Sequence, residues 1–179
     1  NHRNWVPMVC GRGTSALPSA RDCLVNSLRM RPDRLIIGEC RGAEAYDFLS
    51  AINTGHEGSM TTIHANSASD SLSRLENLIT LGHSEIPIKY LRKQMATGIQ
   101  LVVQLQRTSD GQRKVESILE LTGMENDIIT RAYIFNRGKN EKLDVTGFVP
   151  DCIDKILKSG NEISPSFFDP KFKLAKIVS

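Results

Sequence analysis

Arg34-Leu35-Ile36-Ile37-Gly38-Glu39 is the stretch on which the fold turns. Its three consecutive apolar residues do not alternate with polar ones, the pattern of a central parallel strand covered on both faces. Upstream, Ser19 is placed to cap a helix whose apolar stripe is Leu24, Val25 and Leu28. Pro32 stops that helix, because the residue before a proline is pushed out of helical geometry. Downstream, residues 43–54 carry Ala45, Phe48, Leu49 and Ile52 at helical spacing, with Gly55 as the stop. Residues 59–64 read as a second strand. A helix from Ser67 with Leu72, Leu75, Leu78 and Ile79 on one face follows, ending at Gly82. Pro87 suits the first turn of a further helix, with Leu91 and Met95 facing inward. Strand alternating with helix implies a parallel sheet with right-handed crossovers.

After residue 99 the pattern changes. Residues 100–107 and 114–121 read as strands joined through Asp110-Gly111, a hairpin signal. Residues 128–135 read as a third strand, in an antiparallel group. A polar, turn-rich stretch at 136–142 marks an expected boundary. Beyond it, a short helix over 151–158 ends at Gly160, and the pair Phe167-Phe168 reads as exposed.

Bulk composition excludes several classes. The 179 residues are 40% hydrophobic and 24% charged, an ordinary globular balance. Runs such as Leu101-Val102-Val103 are far too short to span a bilayer, and no secretory signal is legible. A net charge of +3 with pI near 8.7 is mildly basic, short of the dense patch of a nucleic-acid binder. No direct nucleic-acid binding is expected. Cys10, Cys23, Cys40 and Cys152 include no C-x-x-C pair, so neither a zinc knuckle nor a disulfide framework is indicated. The chain starts Asn1-His2-Arg3 without Met and is expected to be a piece of a longer protein.

In an open parallel sheet, ligands bind beyond the carboxyl ends of the strands. Glu39 follows the first strand and His64 ends the second, so both side chains can meet at one sheet edge. A glutamate there can orient and polarise water, an effect typically worth roughly 10²–10⁴ in rate. An imidazole beside it can hydrogen-bond a terminal phosphate oxygen or the water. Arg41 can neutralise charge that develops in phosphoryl transfer. Taken singly, a glutamate at a strand end is as readily a solvated loop residue, and a histidine there a satisfied structural one. The pair, framed by Gly38, Arg41 and Gly42, is what points to chemistry. A metal site from His56, Glu57 and His64 has the wrong spacing for a helical H-E-x-x-H, and no metal is expected.

These residues carry a resemblance. The run from Met30 to Ala45, M-R-P-D-R-L-I-I-G-E-C-R-G-A-E-A, resembles the Walker B region of the type II/type IV secretion ATPase superfamily. The run from Asn53 to Ser67, N-T-G-H-E-G-S-M-T-T-I-H-A-N-S, resembles its histidine box. The wording is most similar to the Tad/Flp pilus-assembly branch. The likeness extends through Ser71-Leu72-Ser73-Arg74-Leu75-Glu76 to about Glu125, and weakly into Thr146-Gly147-Phe148.

The resemblance implies a RecA-like P-loop NTPase fold of class α/β. This chain would be its C-terminal part, a parallel sheet with flanking helices, then an antiparallel β-hairpin region and a short extension. The implied division is 1–140 for the partial ATPase core and 141–179 for the extension. Glu39 would be the catalytic Walker B glutamate, His64 the histidine of the box, and Arg41 a supporting residue. The implied cofactors are ATP and Mg²⁺. The implied setting is a homo-hexamer on the cytoplasmic face of an inner-membrane secretion or pilus machine. The Walker A loop, G-x-x-x-x-G-K-[ST], does not occur in these residues: Gly11-Arg12-Gly13-Thr14-Ser15 lacks the lysine, and Gly138-Lys139 is followed by Asn140. No cofactor-binding residue is therefore assigned, and the chain alone is expected to be inactive. The competing reading is a non-catalytic interaction module that docks through the 100–121 hairpin and the Phe167-Phe168 tail.

Overall fold

In a computed structural model of the chain, residues 4–11, 16–138 and 141–171 are described. The first helix, α1 (Ala20–Leu28), starts at a capping box: Asp22 N–H donates to Ser19 Oγ at 3.1 Å, and Ser19 N–H donates to the Asp22 carboxylate at 3.0 Å. It buries Leu24 and leaves Val25 exposed. The chain then turns through Arg31, whose φ of 53° lies in the left-handed region, and enters β1 (Ile36–Ile37). β1 pairs in parallel with β2 (Met60–Thr61), Ile36 opposite Met60 and Ile37 opposite Thr61. Between them, α2 (Glu44–Ile52) buries Ala45, Phe48, Leu49 and Ile52, as the spacing predicts. An Arg21–Asp47 ion pair at 2.7 Å ties α1 to α2.

Two expectations need correction here. The first strand is not covered on both faces: Leu35 is buried, but Ile36 is 52% exposed and its register partner Met60 57%. Register partners share a face, and over this two-stranded sheet that face has no covering layer among the described residues. The second strand is also shorter than 59–64, and His64 lies beyond its end.

Next come α3 (Ala68–Gly82) and α4 (Ile88–Gly98), which bury Leu72, Leu75, Leu78, Ile79, Leu91 and Met95. Arg92 grips Glu76 with two nitrogens, at 2.7 and 3.1 Å, joining the two helices.

The antiparallel sheet has the order β3-β4-β5-β6: β3 (Leu101–Arg107), β4 (Arg113–Glu125), β5 (Ile128–Arg137) and β6 (Leu143–Val145). The Asp110-Gly111 turn joins β3 to β4, with Gly111 at φ +82°. β4 runs four residues further than its apolar pattern suggests and reverses in two residues, Asn126 and Asp127, both with positive φ (46° and 65°). Two left-handed residues in a two-residue loop form a type I′ hairpin turn. β6 has no counterpart in the sequence reading.

One face of this sheet is packed by the segment that follows β6. Ile134, Ile153 of α5 (Ile153–Lys158) and Phe168 of a 3₁₀ turn (Pro165–Phe168) form its core, with Ile118, Phe135, Phe148, Ile163 and Phe167 around them. The Phe167-Phe168 pair is therefore not exposed as expected. Phe168 is buried, and both rings lie within 6.3 Å of the Phe135 ring. Glu120, buried on β4, accepts the N–H groups of Asp151 and Cys152 at 2.9 and 2.8 Å and so holds the start of α5.

Contacts group the chain into two compact units, Asn1–His64 with Ser71–Gln94, and Ala65–Asp70 with Met95–Ser179. The expected division near residue 140 does not coincide with them. β6 pairs with β5 across that point, so the sheet continues into the C-terminal segment.

Candidate active site

The site is built in the first unit, where the chain leaves β1. The pairing with the second strand region persists beyond β1 and β2. Cys40 N–H donates to the Thr62 carbonyl at 3.0 Å, and the Thr62 hydroxyl donates to the Gly38 carbonyl at 2.6 Å. These two bonds bracket Glu39 and fix its backbone against the segment that continues to His64. Glu44, at the start of α2, accepts the N–H groups of Arg41 and Gly42 at 2.6 and 2.9 Å and sets the bend that returns Arg41.

The result is a three-residue constellation. His64 Nε2 lies 3.0 Å from Glu39 Oε1, and Arg41 Nη2 lies 2.5 Å from Glu39 Oε2. The Glu39 side chain is 20% exposed, those of Arg41 and His64 61% and 85%. The carboxylate is thus recessed while its two partners reach into solvent. Hydrogen bonding to Glu39, and its charge, raise the pKa of the Arg41 guanidinium. In the neutral ring, an Nε2–H that donates to Glu39 makes Nδ1 the acceptor nitrogen. The arrangement offers one carboxylate able to take a proton, one guanidinium able to follow negative charge, and one imidazole able to donate or accept. That set suits water and a phosphate oxygen. A nest of backbone N–H groups for a polyphosphate and a Ser/Thr for Mg²⁺ would have to come from a Walker A loop, which the sequence does not contain.

Glu39, His64 and Arg41, the three residues singled out in the sequence, are brought together. His56 and His64 are not gathered with Glu57: His56 Nδ1 lies 3.3 Å from the Ala51 carbonyl, and His64 turns to Glu39. Among the described residues no group of three or more His, Cys, Asp or Glu side chains is arranged to hold a metal. Thr62 and Glu44 were missed. Glu44 carried a signal, an acid in the first turn of a helix just after Gly42. Thr62 carried none, since its role comes from a contact 24 residues away. Cys40, beside the glutamate, is a packed residue: burial, reinforced by Glu44 and Glu39 and opposed by the Thr61 hydroxyl, pushes its thiol up to about 11.

Residues 14–141 match the model of the type II/IV secretion system protein family. The chain belongs to that family. It is 36% identical over 104 residues to the conjugal transfer protein TrbB of Rhizobium radiobacter, covering 58% of this chain and 31% of that protein. It is 37% identical over 110 residues to the type IV secretion system protein PtlH of Bordetella pertussis, covering 60% of this chain and 32% of PtlH. Among solved structures it resembles the VirB11 ATPase of the Brucella suis type IV secretion system, crystallised with sulphate. That match has a TM-score of 0.52 and 31% identity, over 56% of this chain and 31% of that one. The α/β fold, with its parallel pair and antiparallel sheet, is that of the RecA-like secretion ATPases. The chain spans about a third of the length of the curated relatives it matches.

Proposed function

We propose that this chain supplies the water-activating edge of an ATPase site in a motor that drives macromolecule export or pilus assembly. The observation that carries the reading is the Glu39 carboxylate held between His64 Nε2 at 3.0 Å and Arg41 Nη2 at 2.5 Å. In this reading Glu39 orients the attacking water and takes its proton. His64 donates to the water or to a phosphate oxygen. Arg41 holds the glutamate in place and follows the negative charge as it develops. ATP supplies the phosphoryl group that is transferred to water, and Mg²⁺ offsets its charge. Phosphate-binding groups come from a longer parent protein, so the chain by itself is inactive.

The finer setting is part of the same proposal: a homo-hexamer at the cytoplasmic face of an inner membrane, of the Tad/Flp branch. Among the described residues no helix is long and apolar enough to cross a membrane. The test is Glu39→Gln in the longer parent. ATP hydrolysis is expected to be lost with nucleotide binding kept, and normal turnover in the variant would end the assignment. The module reading keeps only half its basis. Phe167 and Phe168 pack inward, leaving that reading only the exposed Leu101, Val103 and Leu105 of β3 as a docking surface.

A further inference from the structure

The four cysteines fall into two kinds. Cys40 is buried, and Cys152 is half-buried beside Glu120; the thiols of both are pushed up to about 11, chiefly by burial. Cys10 is exposed and Cys23, on α1, is half-buried. Neither Cys10 nor Cys23 takes part in the site described above.

Two contacts draw Cys10 onto the start of α1. The Cys23 thiol donates to the Val9 carbonyl at 3.8 Å, and Gly11 N–H donates to the Pro18 carbonyl at 2.8 Å. They lie on either side of Cys10, so the carbonyl before it and the N–H after it both point at the same helix start. The Cys23 sulfur therefore lies against the peptide unit that precedes Cys10. A disulfide needs its two Cα atoms roughly 4.4–6.8 Å apart, and this contact brings the Cys23 sulfur to the Cys10 backbone. The proximity also shows electrostatically: burial raises the pKa of the Cys23 thiol, and Cys10 is the next contributor.

We propose that Cys10 and Cys23 are an oxidative modification site, a reversible thiol–disulfide pair that responds to small-molecule disulfides of the glutathione class. The exposed Cys10 thiolate attacks one sulfur of oxidised glutathione. The S–S bond breaks and the first glutathione thiolate leaves, forming a mixed disulfide on Cys10. The Cys23 thiolate then attacks the Cys10 sulfur and expels the second glutathione thiolate. The chain loses two electrons and two thiol protons, and two reduced glutathione molecules carry them away. The bond fastens the segment around Cys10 to α1, which Arg21 in turn ties to α2 through Asp47. The inference is independent of the ATPase reading.

The test is to equilibrate the chain with graded ratios of oxidised to reduced glutathione, alkylate, and map each cysteine by peptide mass spectrometry. The expected result is that Cys10 and Cys23 lose alkylation together, yield a cross-linked peptide and recover under dithiothreitol. Cys40 and Cys152 stay alkylatable once the chain is unfolded. Cys23→Ser is expected to stop at the mixed disulfide on Cys10, and Cys10→Ser to leave Cys23 reduced. A stable glutathione adduct on wild-type Cys10 without the cross-link would overturn the proposal. So would linkage of Cys10 to another chain, or full alkylation of both residues in excess oxidised glutathione.

Discussion

Glu39 and Cys40 are neighbours whose side chains meet opposite conditions, one turned to two polar partners and the other to the core. In the proposed site, the salt bridge to Glu39 gives Arg41 a positioning role. In the parent, Arg41→Ala is expected to lower kcat by roughly tenfold to hundredfold with little change in nucleotide affinity. A steady-state comparison of kcat and KM checks this. Cys40 gives a prediction in alkaline solution. Its thiol moves from 9.0 up to about 11 on folding. Between those values the folded chain keeps the proton that the unfolded chain has released, so the contribution is complete below pH 9 and drains away as pH climbs to 11. Denaturant titrations across that window should show the wild type losing up to roughly 2–3 kcal/mol more than Cys40→Ala. Glu39, His64 and Arg41 were legible in the sequence because a strand followed by an acid is a local pattern. Thr62 was not, since its hydroxyl matters only for the Gly38 carbonyl it meets.

Elements show the same divide between local and distant causes. α1 to α4 were readable because helical spacing and capping residues are written within a few positions of each other. β6 was not, because three residues take strand form only by pairing with β5. The Phe167-Phe168 pair was misread for the same reason: an aromatic pair in a polar tail reads as exposed until Phe135 is known to lie beneath it. Glu120 carries the tail's other attachment. Glu120→Ala removes a buried carboxylate that accepts two backbone N–H groups and is expected to cost roughly 2–4 kcal/mol. Glu120→Gln, with only one accepting oxygen, should fall in between. Urea unfolding gives the magnitudes, and faster proteolysis after residue 150 would locate the loosening. In the turn before β2, Gly58 sits at φ +78°, and an added Cβ would lie 2.8 Å from Arg34 Nε. Gly58→Ala should therefore destabilise by roughly 1–2 kcal/mol, readable as a lowered Tm.

At the scale of the molecule, the sequence conveyed the order of a parallel region followed by an antiparallel one. It overstated how completely each is covered. Ile36 and Met60 in one unit, and Leu101, Val103 and Leu105 in the other, are apolar strand residues left exposed. Leu101, Val103 and Leu105 alternate along β3, an edge strand, and so share one face of it. An exposed apolar edge invites association. Replacing all three with Thr is expected to reduce concentration-dependent light scattering while the circular dichroism of the folded chain is retained. The β4–β5 reversal has a consequence in time. Asn126 and Asp127 close it with the shortest loop a hairpin allows, and Glu125 faces Ile128 immediately beyond. The entropy lost in bringing those strand ends together is correspondingly small. On refolding, this ribbon should be the first part of the sheet to gain amide protection, with the distant β3 and β6 edges joining it afterwards.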